Sequence, residues 1–163
     1  MQQRTIVITG ANTGIGLETA VSLASSGERV IIACRNPTKA DAAVDEISAR
    51  SGSSDVSSVA LDLASFASVR QCAAELGRTC DRVDVLINNA GLIQSGRETT
   101  VDGFETTFGV NHLGHFLLTD LLGDLVKAAP TPRVINLASV AHWFAVGGLN
   151  FDDLQSVRFY NVW

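Results

Sequence analysis

The chain has 163 residues, 46% hydrophobic and 18% charged, with a formal net charge of −5. That length and apolar content suit one packed domain of about 100–200 residues and exclude a disordered chain. The acidic balance speaks against general affinity for nucleic acid, and no apolar run is long enough to span a bilayer. Strand-like residues begin at Thr5, so no cleavable signal is read, and a cytoplasmic location is expected. The three cysteines, Cys34, Cys72 and Cys80, form neither an even set nor a CxxC pair. Free thiols and no metal site are expected.

Thr5–Thr9 (TIVIT) reads as a first strand. Ile15 to about Ser26 has helical spacing through Ile15, Leu17, Val21 and Leu23. Arg29–Cys34 (RVIIAC) is a second strand, and Asn36-Pro37 then supplies a helix cap and first-turn proline. That helix runs to about Arg50, with Gly52 as its stop. Val56–Leu61 is a third strand, and Ser65 caps a helix carrying Phe66, Val69, Ala73 and Leu76. Val83–Asn88 is a fourth strand, Val101–Val126 a single long helix, and Arg133–Ala138 a fifth strand. Segment 141–163 reads as irregular. Near-continuous apolar strands alternating with amphipathic helices imply an α/β fold, a doubly wound parallel sheet covered on both faces. No linker divides residues 1–163, so one domain is expected.

The first strand runs directly into Thr9-Gly10-Ala11-Asn12-Thr13-Gly14-Ile15-Gly16 and then a helix. Strand, glycine-rich turn and helix N-terminus together suit a pyrophosphate: the backbone can approach closely, and unpaired N–H groups face the anion. The spacing is TGxxxGxG rather than GxGxxG. At the end of the second strand, where an NAD site places an acidic residue, stands Arg35, 19 residues after Gly16. A guanidinium fork there suits a 2′-phosphate, so NADP(H) is the expected cofactor. Lys39 reads as a residue of the exposed helix face.

TGANTGIG, Asp62-Leu63, Asn88-Asn89-Ala90-Gly91, Asn111 and the RVINLAS strand ending at Ser139 occur in the order of the short-chain dehydrogenase/reductase family, which the chain resembles over nearly its whole length. ACRN at 33–36, DGFETTFGVNHLGHFLLTDLL at 102–122 and GGLNFDDL at 147–154 resemble its retinol dehydrogenase branch. The resemblance implies a Rossmann-like sheet. It implies a pyrophosphate loop of Thr9, Gly10, Asn12, Thr13, Gly14, Ile15 and Gly16. Arg35 would meet the 2′-phosphate, and Asp62 and Leu63 would flank the adenine. Asn88, Ala90 and Gly91 would lie along the cofactor's ribose and steady the sheet. Asn111 would hold a water in a proton relay from mid-helix, and Ser139 would hydrogen-bond the substrate oxygen. Substrates would be small hydrophobic alcohols or aldehydes such as retinol and retinal, acted on by a form able to build a homo-oligomer. Segment 92–100 would contribute one wall. His112, His115 and His142 read as packing or surface residues, and Cys34 as a small apolar strand residue.

The family's Tyr-x-x-x-Lys proton donor has no counterpart here. The one tyrosine is Tyr160, and the lysines, Lys39 and Lys127, both precede it. In the resembling branch a segment like Phe159-Tyr160-Asn161 precedes the catalytic tyrosine, so Tyr160 is not read as the catalyst. The chain is therefore expected to stop short of that helix, to leave the sheet incomplete on its C-terminal side with about five strands, and to be inactive by itself. Two alternatives stand beside the enzyme: a non-catalytic dinucleotide-binding module or truncated isoform acting through a partner, and an incomplete gene sequence.

Overall fold

In the computed structural model, which describes residues 3–144 and 148–160, strands and helices alternate as the apolar pattern predicts. Residues 145–147 and 161–163, including Asn161, lie outside the described residues. The strands β1 (Thr5–Thr9), β2 (Arg29–Cys34), β3 (Val56–Ala60), β4 (Val85–Asn88) and β5 (Arg133–Asn136) pair in parallel in the order β3-β2-β1-β4-β5. The chain builds outward from β1 through β2 to β3, then returns to the other edge of β1 with β4. That reversal opens a crevice at the carboxyl ends of β1 and β4, where ligands of such sheets bind.

Three helices follow the first three strands: α1 (Gly14–Ser25), α2 (Pro37–Ser51) and α3 (Phe66–Thr79). Local chemistry sets the limits of α2: Asn36 Oδ1 accepts the Lys39 N–H at 3.0 Å, and Gly52 ends the helix at φ +72°. Ser65 caps α3 in the same way through the Ser68 N–H. Alternate strand residues then separate onto two cores. Ile6, Ile8, Val30 and Ile32 pack with Ala20, Ala24, Ala43 and Ile47 of α1 and α2. Val7, Ile31 and Leu86 pack on the opposite face with Val69, Leu76, Leu118 and Leu122.

The predicted helix over 101–126 needs correction. Residues 101–104 form a turn, with Gly103 at φ +85°, and Thr99 bridges to Glu105. The helix starts only at α4 (Thr106–Phe108), where the buried Glu105 carboxylate accepts the N–H groups of Thr107 and Phe108, each at 2.7 Å. It then widens into a π-helical turn at Gly109–Gly114, resumes as α5 (His115–Leu121), breaks at Leu122 and ends in α6 (Gly123–Lys127). The apolar spacing runs through these interruptions, which is why periodicity alone merges them. Three strands are also shorter than expected at one end: β3 ends at Ala60, β4 starts at Val85, and β5 ends at Asn136.

β5 is a sheet edge, and Val134, Ile135 and Leu137 are exposed, whereas Leu118 on the covered face is fully buried. Short 3₁₀ turns, Val140–Phe144 and Phe151–Asp153, follow. Leu118→Ala is expected to destabilise the chain by about 2–5 kcal/mol, because it removes buried contacts and leaves a cavity. A lowered urea midpoint with an unchanged denaturant slope checks this.

Candidate functional site

β1 runs straight into the glycine-rich turn, and α1 leaves it. Gly10 takes φ +67°, and a Cβ there would stand 2.8 Å from Ala90 Cβ. A Cβ on Gly16 would fall 2.5 Å from Asn89 Nδ2 and 2.9 Å from Gly10 O. Close approach of backbone to backbone therefore requires both glycines. Thr13, at the N-cap of α1, makes no side-chain capping bond, and no acidic residue occupies the first helical turn. The helix thus presents N–H groups and a positive dipole end to the turn, a combination that suits phosphate oxygens.

Gly10, Asn12, Thr13, Ile15 and Gly16 border a cleft of about 340 Å³. It shares Asn89, Ala90, Gly91 and Leu137 with a second cleft of about 970 Å³. The two make one groove across the carboxyl ends of β1, β4 and β5. Asn88, Asn111 and Ser139 all line its larger part, so three of the predicted residues from distant parts of the chain come together there. From the 92–100 segment, Leu92 and Ile93 face this part.

Asn111 lies in the π-helical turn, not in a regular helix. Its Oδ1 accepts the Leu92 N–H at 2.9 Å, and its Nδ2 donates to Leu92 O at 2.8 Å. Both side-chain groups are thus engaged, and the loop after β4 is held against the helix. Ser139 stands three residues beyond β5, exposed, with Oγ accepting the Ala141 N–H at 3.1 Å. Asn88 ties β4 to β5: its Nδ2 donates to Asn136 Oδ1 at 2.8 Å and to Thr119 Oγ1 at 3.0 Å. Its buried Oδ1 has no partner among the described residues.

Five predicted residues lie off the groove lining. Arg35 is exposed just past β2 and forms no ion pair among the described residues. Asp62 is half-buried and shapes the turn before α3, its Oδ1 accepting the Ala64 N–H at 3.0 Å. Leu63 is buried in the core with Leu118 and Val110. Thr9 is fully buried, and its Oγ1 accepts the N–H groups of Asn89 and Ala90, each at 2.9 Å. Gly14 holds φ +59° at the start of α1, with open space around it.

Sequence patterning gave no role to His115, which is nevertheless buried and lines the larger cleft. Its Nε2 lies 2.8 Å from Thr9 Oγ1, and its Nδ1 lies 3.1 Å from Asn111 O. Burial holds its pKa below the ordinary histidine value, so the ring is neutral near pH 7. The signal in the sequence is its position four residues after Asn111, which returns its ring to that residue's carbonyl. Tyr160 donates its hydroxyl to Gln94 O at 2.9 Å, away from the groove lining. Cys34 and Cys72 are buried, and burial raises both thiols, Cys72 to about 12, so neither is an activated nucleophile. No cluster of three metal-ligating side chains occurs among the described residues, and no described helix is long and apolar enough to cross a membrane.

The family model for short chain dehydrogenase matches residues 4–149. The chain belongs to the short chain dehydrogenase family. It is 50% identical over 160 residues to human retinol dehydrogenase 13, covering 98% of this chain and 48% of that protein. The chain therefore spans about half the length of the curated relatives it matches. Among solved structures, an uncharacterized protein from Mycobacterium paratuberculosis superposes with a TM-score of 0.81 at 40% identity, covering 98% of this chain and 54% of that one. The Pseudomonas aeruginosa RhlG/NADP active-site complex superposes with a TM-score of 0.75 at 31% identity, covering 94% of this chain and 61% of that one.

Proposed function

We propose that this chain binds NADP(H) and forms the cofactor-holding part of an oxidoreductase that interconverts a primary alcohol and its aldehyde. The substrate class is hydrophobic, a retinoid or a similar compound. The observation that carries the proposal is the pair of close-approach glycines, Gly10 and Gly16, at an N-terminus of α1 that no side chain caps. Backbone N–H groups over Gly10–Gly16, with Asn12, Thr13 and Ile15 around them, would hold the pyrophosphate. Thr9 would shape that turn from beneath. Asp62 and the backbone of Leu63, past the end of β3, would flank the adenine, the Leu63 side chain being turned into the core, and Asn88, Ala90 and Gly91 would follow the ribose toward the larger cleft.

Bound there, NADP(H) would supply or accept the hydride. The chain's residues position the partner: Ser139 Oγ would hydrogen-bond the substrate oxygen, and Asn111 would hold a water for proton movement. Leu92, Ile93, Phe116 and Leu137 give the larger cleft an apolar wall suited to a hydrophobic chain. The name of the human relative, retinol dehydrogenase 13, agrees with that substrate class.

Arg35 would choose the nucleotide. It is exposed and free of ion pairing among the described residues, so its guanidinium can meet a 2′-phosphate without breaking an existing contact. Arg35→Asp is expected to weaken NADPH binding about 10–100-fold, because a charge-assisted hydrogen bond contributes about 1.5–3 kcal/mol and a repulsion replaces it. NADH affinity is expected to hold or rise. Calorimetric titration of this variant and of the unsubstituted chain with both nucleotides tests this. Equal losses for NADH and NADPH would remove Arg35 from the 2′-phosphate role.

A second function also has an observation in its favour. Tyr160, the sole tyrosine, gives its hydroxyl to Gln94 O, and no lysine follows Lys127. A chain that binds nucleotide without turnover would be a dinucleotide-binding module working through a partner.

A further inference from the structure

We propose that His115 is a positioning residue that joins the phosphate turn to the Asn111 turn, acting as a neutral imidazole with its proton on Nδ1. The proposal rests on the NADP(H) function above.

The hydrogen-bond inventory of Thr9 leads to it. Thr9 Oγ1 already accepts two N–H groups, from Asn89 and Ala90 at 2.9 Å each. Those bonds fill its two lone-pair directions, so the hydroxyl proton must be donated onward. The atom that receives it is His115 Nε2, at 2.8 Å. Nε2 therefore carries a lone pair, and the ring's proton sits on Nδ1, where it donates to Asn111 O at 3.1 Å. One proton arrangement satisfies every atom in this buried chain. The opposite tautomer, or a protonated ring, would point a third N–H at Thr9 Oγ1 and leave the hydroxyl proton without an acceptor.

Two parts of the groove depend on that arrangement. The Asn89 and Ala90 amides, held by Thr9, lie where Gly10 and Gly16 make their closest approaches. The Asn111 carbonyl lies in the π-helical turn whose side chain grips Leu92. His115 bridges them from the first residue of α5. Its effect on the cofactor runs through Thr9, and it need not touch the nucleotide.

Three substitutions of the 163-residue chain test this. His115→Phe removes both ring nitrogens. His115→Gln places an amide oxygen near the Nε2 position, able to accept the Thr9 proton. His115→Asn reaches only the Nδ1 position. NADPH affinity is expected to fall about tenfold in the Phe and Asn variants and to return to within about threefold of the unsubstituted chain in the Gln variant. Amide-exchange protection of Asn89 and Ala90 should follow the same order, and nitrogen NMR of the unsubstituted chain should show the Nδ1–H tautomer. A Gln variant as weak as Phe, or an Nε2–H tautomer, would overturn the proposal. Should the unsubstituted chain bind no nucleotide, the NADP(H) function fails. His115 is then judged by the tautomer and by amide protection, which need no ligand.

Discussion

Gly10→Val is expected to cut NADPH affinity of the 163-residue chain about 100-fold. Two costs combine. Gly10 sits at φ +67°, where a side chain costs about 1–2 kcal/mol. Its Cβ would also stand 2.8 Å from Ala90 Cβ and 2.9 Å from Ala90 Cα, an overpacking that costs about 1–3 kcal/mol. Relief requires β1 and β4 to separate at their carboxyl ends, which displaces the turn from α1. Gly27→Ala is the control. Gly27 also has positive φ, +83°, but nothing lies within 4 Å of its Cβ position. It stands in the turn between α1 and β2, at the opposite end of β2 from Arg35. It should lower stability and leave affinity unchanged. Calorimetric titration alongside urea unfolding of both variants separates the two effects. Near-normal binding by Gly10→Val would show that the turn does not carry the phosphates.

Reduction of a long-chain aldehyde by NADPH is expected to run about 10²–10⁴-fold slower with this chain than with a form supplying a Tyr-x-x-x-Lys pair. Hydride transfer to a carbonyl needs a proton at the oxygen. In the proposed function Ser139 would orient that oxygen, but an unassisted serine hydroxyl is a poor proton donor. Tyr160 is committed to Gln94 O, and His115 Nε2 is committed to Thr9. Following NADPH consumption with saturating aldehyde measures the rate. Robust turnover by the purified 163-residue chain would mean that another group in the groove supplies the proton, with Ser139 the first residue to re-examine.

β1, β2, α2 and α3 were legible because their signals are local. β-branched runs fix the strands, and Asn36, Pro37, Gly52 and Ser65 mark the helix ends. The strand-turn-helix placement of Gly10 to Gly16 was legible for the same reason. The region from 101 to 127 was not. Its apolar positions keep helical spacing while the backbone changes from turn to α to π and back. Asp102-Gly103 followed by Glu105 is the turn-and-cap signal that marks the true start. His115 was hidden because its function depends on Thr9, 106 residues away in sequence, and on amides at the end of β4. Such a closed proton inventory exists only after the sheet is assembled. Leu63 shows the converse: a motif position at a strand end whose side chain the fold turns into the core.

The most direct measurement is a calorimetric titration of the unsubstituted chain with NADPH and, separately, with NADH. The glycine-rich turn predicts saturable binding of both, and the exposed guanidinium of Arg35 predicts that NADPH binds about 10–100-fold more tightly. Equal affinities, or no uptake of either nucleotide by a sample with a cooperative unfolding transition, would contradict the assignment of this groove to NADP(H).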